Sequence, residues 1–590
     1  MQENWVVVNQ KSNFEKLKSE ISLSPLITRL LSNRNITTKK DAYMFLNGTI
    51  DDLYDSRLMK DMVRGVNIIK EAIETKKRII IYGDYDCDGV CSTTIFCKVL
   101  KFLNANFKYY IPSREDEGYG MNSNRIKILK DEGAEYILTC DNGISAINEV
   151  KYAKELGLTV VVTDHHEVPY EEIDGEKIYK VPEADCVIDP KQKDCDYPFK
   201  ELCGAGVALK FSKLLLESFN VTYTSFNELY ELATLATICD VVELMDENRI
   251  IVKKGLSTMG NTENIGLREL IKETKLVDSK IGEYHLGFVL GPCINATGRL
   301  ETADLSVELL ITEDEENAKS LAKTLHRLNS DRQELTKDSL EKVYEKIEND
   351  FSENDKVILV YDGSIHESIA GIVAGRVRER YNLPTIIMTD TKEEGLAKGS
   401  GRSIECYHMY EELNKCKDLI EKFGGHPMAA GLTVKKENLL ALRQELNKKC
   451  MLTEEQIIPT IKIDTPLKFS LINENIINEI EELRPFGKGN PSPLFAVKNI
   501  SVDKVFFMGK DKQFLKFLMK QDNISLQGLN FNKYEEFKEA YTEKFGKEAF
   551  LDLLDTGYCN MKMDIIYYPQ VNEFNGKKSV QLNIKNFRII

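Results

Sequence analysis

IIIYGDYDCDG, residues 79–89, is the stretch on which the reading of this chain turns. A short apolar run is broken by Gly83, and Asp84, Asp86 and Asp88 then follow at alternate positions, the signature of a buried strand opening into a loop. The same order recurs in YILTCDNG from Tyr136, TVVVTDHHE from Thr159 and CVIDPKQ from Cys186, each apolar run closing on an aspartate. Between Arg78 and Asp189 such runs alternate with helix-like stretches, which predicts a largely parallel sheet covered by helices. In open α/β sheets the strand carboxyl ends share one edge, and the crevice there binds ligands. The sequence-distant acids are therefore expected to converge.

Three carboxylates crowded on one loop repel one another, and a divalent cation is the ordinary remedy. DYDCDG also matches the start of an EF-hand calcium loop. That loop needs a glutamate at its twelfth position, where this chain has Ile95, and a helix rather than a strand should enter it, so the calcium reading is rejected. Adding Asp141 from CDNG, His165 from TDHH and Asp240 from ICDVVEL gives a mainly oxygen site with one imidazole. Oxygen ligands favour magnesium or manganese, and the imidazole tilts the choice toward manganese. There are carboxylates enough for two ions, which points to in-line hydrolysis of a phosphate ester.

Successive side chains of an extended segment diverge, so adjacent histidines are expected to do different work. His165 is assigned to the metal, Asp164 to orienting the loop or an imidazole, and His166 to the substrate phosphate or leaving oxygen. A lone histidine is more often structural; this pair stands beside three other strand-end acids. Asp189, in IDP, reads equally as an ordinary turn.

At 590 residues the chain exceeds one hydrophobic core, and roughly three to five domains are expected. No run approaches the about 18 apolar residues of a spanning helix, and MQENWVVVNQKSN lacks the order of a secretory signal, so a cytoplasmic protein without membrane contact is expected. Thirteen cysteines with no CxxC pair support neither a disulfide framework nor a zinc ribbon. A net charge of -15 argues against a broadly basic coat, yet leaves room for a local groove along a phosphate backbone.

From Leu300 to Asp362 there is neither Gly nor Pro, and LAKTLHRLNSDRQELTKDSLEKVYEKIEND within it carries apolar residues at helical spacing, which predicts a long exposed helix linking two domains. KVILVYDG and PTIIMTD read as strands of a second α/β region, and KGSGRS and FGGHPMAAG as tight turns. After about residue 452 the pattern changes to alternating apolar and polar runs, as in a small β-barrel or sandwich.

DYDCDG, CDNG, TDHH and CDVVEL, in this order and at these separations, resemble the four motifs of the DHH phosphoesterase superfamily. LCGAGVALKF, GPCINATGRL, HESIAGIVAGR, KGSGRS, FGGHPMAAGL and LRPFGKGNPSPLF extend the likeness over nearly the whole chain, to the RecJ family of single-strand-specific exonucleases. The resemblance implies a parallel-sheet DHH domain with an N-terminal extension (1–265), a helical connector (266–354), a second α/β, DHH-associated domain (355–452) and an all-β OB-fold domain (453–590).

It also implies residue roles. Asp86, Asp88, Asp141, His165 and Asp240 would hold two divalent ions, manganese or magnesium, with Asp84 beside them and His166 close to the scissile phosphate. Recognition of a 5′-terminal phosphate would fall to Arg114, Arg299, Ser400 and Arg402; an isolated arginine would be read as a surface ion pair, but its planar fork suits phosphate oxygens. Gly424 and Gly425 would let backbone amides approach a phosphate ahead of a helix, with His426 adding a donor. Three positions depart from the family: Cys293 replaces an Arg, Ser368 a Gly and Asp189 an Asn.

In KVFFMGKDKQFLKFLMK, residues 504–520, five lysines interleave with Phe506, Phe507, Phe514 and Phe517, a local basic patch of the kind that binds single strands. Strand alternation would bury half of these rings.

The implied activity is 5′ to 3′ digestion of single-stranded DNA to 5′-mononucleotides in repair and recombination, by a monomer working with a single-strand-binding protein and a RecQ-type helicase. Two other readings compete. A phosphodiesterase of short oligonucleotides or cyclic dinucleotides would have no use for the final β-rich region, and a non-catalytic replication scaffold would not need every acid of the four motifs.

Overall fold

The computed structural model describes residues 3–590 apart from 115–116, 119, 174, 225, 353–354, 510–512, 532 and 575. Strands β1 (Ile79–Tyr82), β2 (Phe107–Tyr110), β3 (Tyr136–Thr139), β4 (Thr159–Thr163) and β5 (Cys186–Ile188) form the expected parallel sheet in the order β2-β1-β3-β4-β5. Alternate residues serve opposite faces: Ile79, Ile81, Leu138 and Val161 join one core, and Ile80, Tyr82, Ile137, Val160 and Val162 the other. Burial on both faces is why these runs are apolar throughout rather than alternating. The chain order reverses between β1 and β3, the switch point at which such sheets open a crevice.

Helices α1 (Cys87–Phe102), α2 (Gly204–Ser218) and α3 (Phe226–Cys239) pack together on the first of these faces. Helix α4 (Gly291–Leu300) continues a turn at Glu283–His285 and a π-helical turn at Leu286–Leu290. Helix α5 (Glu315–Asp350) runs 36 residues, capped by Asp314, whose carboxylate accepts the Glu316 and Asn317 amides at 2.8 and 3.0 Å. Ala318, Leu321, Ala322 and Leu325 at its start belong to the core of the parallel sheet, while Val343 and Ile347 near its end belong to the next domain. Residues 266–311, grouped by the sequence reading with the connector, bury Leu267, Leu270, Leu309 and Leu310 in the first core.

Beyond α5 lie β6 (Ile358–Tyr361), α6 (Glu367–Tyr381), β7 (Thr385–Asp390), β8 (Leu396–Arg402), β9 (Lys422–His426) and β10 (Ala429–Lys435). Their sheet runs β9-β10-β8-β7-β6, with only β6 and β7 parallel. Two expectations are corrected here. KGSGR is the body of β8 and FGGH is β9, not tight turns, and Gly424 and Gly425 lead into β10 rather than a helix. Close packing explains the glycines: a Cβ on Gly399 would lie 2.1 Å from Met388 Sδ, and one on Gly425 2.4 Å from the Ala429 carbonyl.

A second unit comprises residues 3–52, 243–246 and 460–590. Residues 3–52, read as an extension of the first domain, thus fold with the C-terminal region. Asn4–Val7 pairs in parallel with Thr460–Ile463, and buried Arg34 donates to Asn490 Oδ1, Pro491 O and Leu30 O at 2.5, 2.5 and 2.8 Å. Strands β11 (Phe495–Met508), β12 (Phe514–Gln521), β13 (Ile524–Phe531), β14 (Tyr558–Phe574) and β15 (Lys577–Ile589) run β11-β12-β13-β15-β14, and β14 pairs back to β11, closing a five-stranded barrel. Phe517 is buried and Phe507 packs on Phe537 and Phe550, while Phe506 and Phe514 face outward. Lys510, Asp511 and Lys512 of the basic patch lie outside the described residues. Among the described residues no helix is long and apolar enough to cross a membrane.

Candidate metal and phosphate site

The acids meet at the carboxyl ends of β1, β3 and β4. Asp86 caps α1, its Oδ1 accepting the Asp88 and Gly89 amides at 2.9 and 3.1 Å. Asp88 is held by the start of α2: Gly204 N donates to its Oδ2 at 2.6 Å and Ala205 N to its Oδ1 at 2.7 Å, the amide-rich end of a helix facing an anion. Asp141 turns through left-handed backbone, φ +61°. Its neighbour Asn142 donates to the carbonyls of Tyr82, Gly83 and Cys140 at 3.1, 2.9 and 3.0 Å, tying the ends of β1 and β3 together. Asp240 follows directly on α3.

His165 Nε2 lies 3.0 Å from Asp141 Oδ1, 3.5 Å from Asp88 Oδ2 and 3.8 Å from Asp240 Oδ2. The ring is hydrogen-bonded to the Leu202 backbone, and Nε2 is buried with no hydrogen-bond partner. Burial, then the charge of His166, hold this imidazole at about 3, so it is a neutral ring presenting a lone pair. His166 is different. Its Nδ1 sits 2.7 Å from Asp164 Oδ1, and although burial opposes its charge, Asp164 lifts it to about 9. Asp164 is buried, but the charge and hydrogen bond of His166 draw it down to about 2, and its Oδ2 also accepts Ile144 N at 2.8 Å.

Elsewhere in the cluster like charges collide. Burial, then Asp86, pushes Asp88 up to about 6 and Asp84 well above the carboxylate range; burial, then Asp88 and Asp86, lifts Asp240 to about 8 and Asp141 well up. Asp84–Asp86–Asp141, Asp88–His165–Asp240 and Asp141–His165–His166 each place donor atoms within 4.8 Å of one another. Asp84 Oδ1 is buried with no hydrogen-bond partner. Orphaned buried donors, mutually repelling carboxylates and a neutral imidazole fit divalent cations.

Cations stand next to this cluster. Arg299, at the end of α4, is half-buried and donates to Ser368 O at 2.8 Å; loss of solvent, then the charges of Arg114 and Arg332, bring it down to about 10, with Asp86 pulling the other way and Arg402 adding to the decrease. Arg402 donates to Ser400 Oγ at 2.8 Å, and Arg114 lies over the Tyr85 ring at 5.3 Å. His426 is lowered by burial and then by Arg402, which places it in the same field. Guanidinium groups that feel one another's charge suit an anion.

A DHH-family N-terminal domain model matches residues 78–238, a DHHA1 domain model 354–451, and a RecJ OB domain model 463–586. The chain is similar to the single-stranded-DNA-specific exonuclease RecJ of Bacillus subtilis, 37% identical over 98% of this chain and 70% of that one. It is likewise similar to the Haemophilus influenzae protein of that name, 31% identical over 96% of each chain. The crystal structure of RecJ in complex with Mn2+ from Thermus thermophilus matches 99% of this chain and 79% of that chain with a TM-score of 0.80 and 25% identity.

The chain belongs to the RecJ family.

Of the residues singled out from the sequence, the structure gathers Asp84, Asp86, Asp88, Asp141, Asp164, His165, His166 and Asp240 at one sheet edge, with Arg114, Arg299, Ser400, Arg402 and His426 alongside. Gly424 and Gly425 lie on exposed β9. Of the departures from the RecJ pattern, Cys293 is buried on α4 beside Arg332 of α5, Ser368 serves Arg299 through its carbonyl, and Asp189 is buried and lifted to about 8 by its surroundings and then by Asp164. Sequence reasoning missed the supporting residues: Asn142, the Gly204 and Ala205 amides, and Asn295, whose Oδ1 accepts Cys87 N at 2.9 Å. All four lie inside or directly beside quoted motifs, but only folding shows what their polar groups hold.

Proposed function

We propose that the chain digests single-stranded DNA from its 5′ end, releasing 5′-mononucleotides in DNA repair and recombination. The observation that carries this is the adjacency of a multi-carboxylate cluster to the Arg114–Arg299–Arg402 group, Arg299 feeling both Asp86 and the other two arginines. One centre suits the scissile phosphate and the other a terminal phosphate, an arrangement that measures from a strand end.

The donor set fits two divalent ions, with manganese favoured by the imidazole and magnesium as the alternative. Asp86, Asp88, Asp141, His165 and Asp240 would hold them, with Asp84 beside them; when bound they activate water and offset charge on the attacking and leaving oxygens. Asp164 keeps Nδ1 of His166 occupied, so the imidazolium presents Nε2–H to a phosphate oxygen or to the departing 3′-oxygen, and can give up that proton as the bond breaks. Arg299 and Arg402 are anchored by Ser368 O and Ser400 Oγ and so meet a terminal phosphate already oriented. The OB-type barrel supplies a surface for the strand. A cytoplasmic monomer, working with a single-strand-binding protein and a RecQ-type helicase, completes the reading.

The test incubates the purified chain and manganese with a 5′-labelled single strand, a duplex and a dinucleotide. Mononucleotides from the single strand, absent with Asp141→Ala, are expected. Cleavage of the dinucleotide alone would overturn the proposal.

A further inference from the structure

The strand order sets the charges of the site in a row. At the carboxyl edge of the parallel sheet, β2-β1-β3-β4-β5 are followed in turn by Arg114, by Asp84, Asp86 and Asp88, by Asp141, by Asp164, His165 and His166, and last by Asp189 and Lys191. Cations therefore bracket the acidic cluster. Neighbouring strands lie about 4.8 Å apart, which puts β2 and β5 about 19 Å from each other. The proposed chemistry uses the arginines at one end of this row and leaves Lys191, at the other, without a task.

Lys191 is held in place. Asp189 Oδ1 accepts its backbone amide at 2.7 Å, fixing the turn that follows β5. Its side chain is only 17% exposed, yet among the described residues the carboxylate paired with its ammonium is that of Glu167, 3.1 Å away and 86% exposed. Such a pair contributes about 0 to 1 kcal/mol, whereas lysine is seldom withdrawn from water without a strong partner. Glu167 directly follows His166, so the ammonium stands on the same loop edge as the charged imidazole.

The Lys191 charge also reaches into the cluster. Burial has the largest effect on His165, Asp240 and Asp189, and the ammonium of Lys191 draws each of the three downward. Carboxylates committed to divalent ions have little charge to spare for this ammonium, which is then left for an anion of the substrate. A strand with its terminal phosphate among the arginines and its scissile phosphate at the acids continues along the row toward β5. From β3 or β4 that is about 5 to 10 Å, or one to three nucleotides at the stacked rise of about 3.4 Å each.

We propose that Lys191 binds a backbone phosphate on the 3′ side of the scissile bond, at one of the second to fourth linkages from the 5′ end, and so directs the strand out of the site across β5. The inference rests on the proposed exonuclease reading and adds a residue that selects for length. A 5′-phosphorylated dinucleotide has no phosphate beyond the scissile one and gains nothing from Lys191. A lysine is a point charge that reads no base, as digestion of any sequence requires.

The test measures binding by the manganese-loaded full chain, by Lys191→Gln and by Lys191→Arg, using fluorescence anisotropy. The strands are 5′-phosphorylated, with a methylene in place of the 3′-oxygen at the first linkage so that they bind without being cut. Each carries one neutral methylphosphonate at the second, third or fourth linkage or near the 3′ end, or none. Lys191→Gln is expected to weaken binding of the fully charged strand about tenfold or more and to reduce the slope of log K against log salt by about 0.7, with manganese affinity unchanged and Lys191→Arg close to the unaltered chain. A methylphosphonate at one of the three proximal linkages is expected to cost the unaltered chain a similar factor and Lys191→Gln almost nothing. Equal losses in the two proteins at every linkage, or unchanged affinity and salt slope in Lys191→Gln, overturn the proposal, as does a loss of affinity that follows loss of manganese. Should Lys191→Gln not fold, indifference of the unaltered chain to all three proximal methylphosphonates overturns it. An unaltered chain that binds these strands but never cuts cleavable ones would instead overturn the exonuclease reading.

Discussion

Asp164 Oδ1 lies 2.7 Å from Nδ1 of His166, while the ring of the preceding residue, His165, turns Nε2 toward Asp141 at 3.0 Å. Adjacent imidazoles are thereby put in opposite states, one held charged by a carboxylate and the other held neutral by burial.

This division predicts different failures. His166→Ala is expected to lower kcat by about 10²- to 10⁴-fold with manganese affinity retained. His165→Ala is expected to weaken manganese binding about 10- to 100-fold or more. Calorimetric titration of manganese beside steady-state kinetics separates them; equal loss of metal in both variants contradicts the division.

Within the barrel, Phe506 and Phe517 lie on adjacent strands but serve opposite faces. Phe506→Ala, on the outer face near Lys504, is expected to weaken binding of a single-stranded oligonucleotide by about 1 to 3 kcal/mol with little effect on stability. Phe517→Ala, in the core, is expected to destabilise the barrel by about 3 to 5 kcal/mol. Fluorescence anisotropy and urea unfolding read the two effects, and a reversed pattern contradicts the assignment of faces.

Arg34 joins residues 3–52 to the barrel through buried hydrogen bonds and an ion pair with Asp464 at 3.4 Å. Arg34→Ala takes the guanidinium from buried Asn490 Oδ1 and from Pro491 O, while half-buried Asp464 keeps Asn33 Nδ2 and Leu494 N as donors, with an expected loss of about 1 to 3 kcal/mol. Limited proteolysis should then release the N-terminal segment early. Resistance equal to that of the unaltered chain would show the anchor to be dispensable.

Buried thiols set an alkaline limit. Burial pushes Cys97 and Cys186 up to about 12 and Cys293 and Cys559 up to about 11. In the window from about pH 8.5 upward the unfolded chain loses these protons first, so the native state binds more protons and stability falls as pH rises. The thermal midpoint is expected to decline from about pH 8.5 to pH 10, and exposed Cys406 to react with a thiol reagent ahead of these four. A flat or rising midpoint contradicts this.

Strand ends and the acids on them were legible because both are local: apolar runs and the residues that break them mark where β1, β3 and β4 stop, and each stops at an aspartate. The long helix α5 was legible for the same reason, an uninterrupted apolar stripe without Gly or Pro. Glycine-rich segments misled. KGSGR and FGGH carry turn composition, yet neighbouring side chains such as Met388 occupy the space a Cβ would need, so the glycines sit inside strands. Residues 3–52 misled through chain order, because pairing of Asn4–Val7 with Thr460–Ile463 spans most of the chain.

By itself the amino-acid sequence determined the parallel sheet, the linking helix, the β-rich end and the set of acids and histidines at the strand ends, since hydrophobic periodicity and residue chemistry act over a few residues. Only the tertiary structure decided which amides hold Asp88, which histidine is charged and which phenylalanines face water. Burial, electrostatic field and packing are sums over groups far apart in the chain, and they acquire values only when the fold brings those groups together.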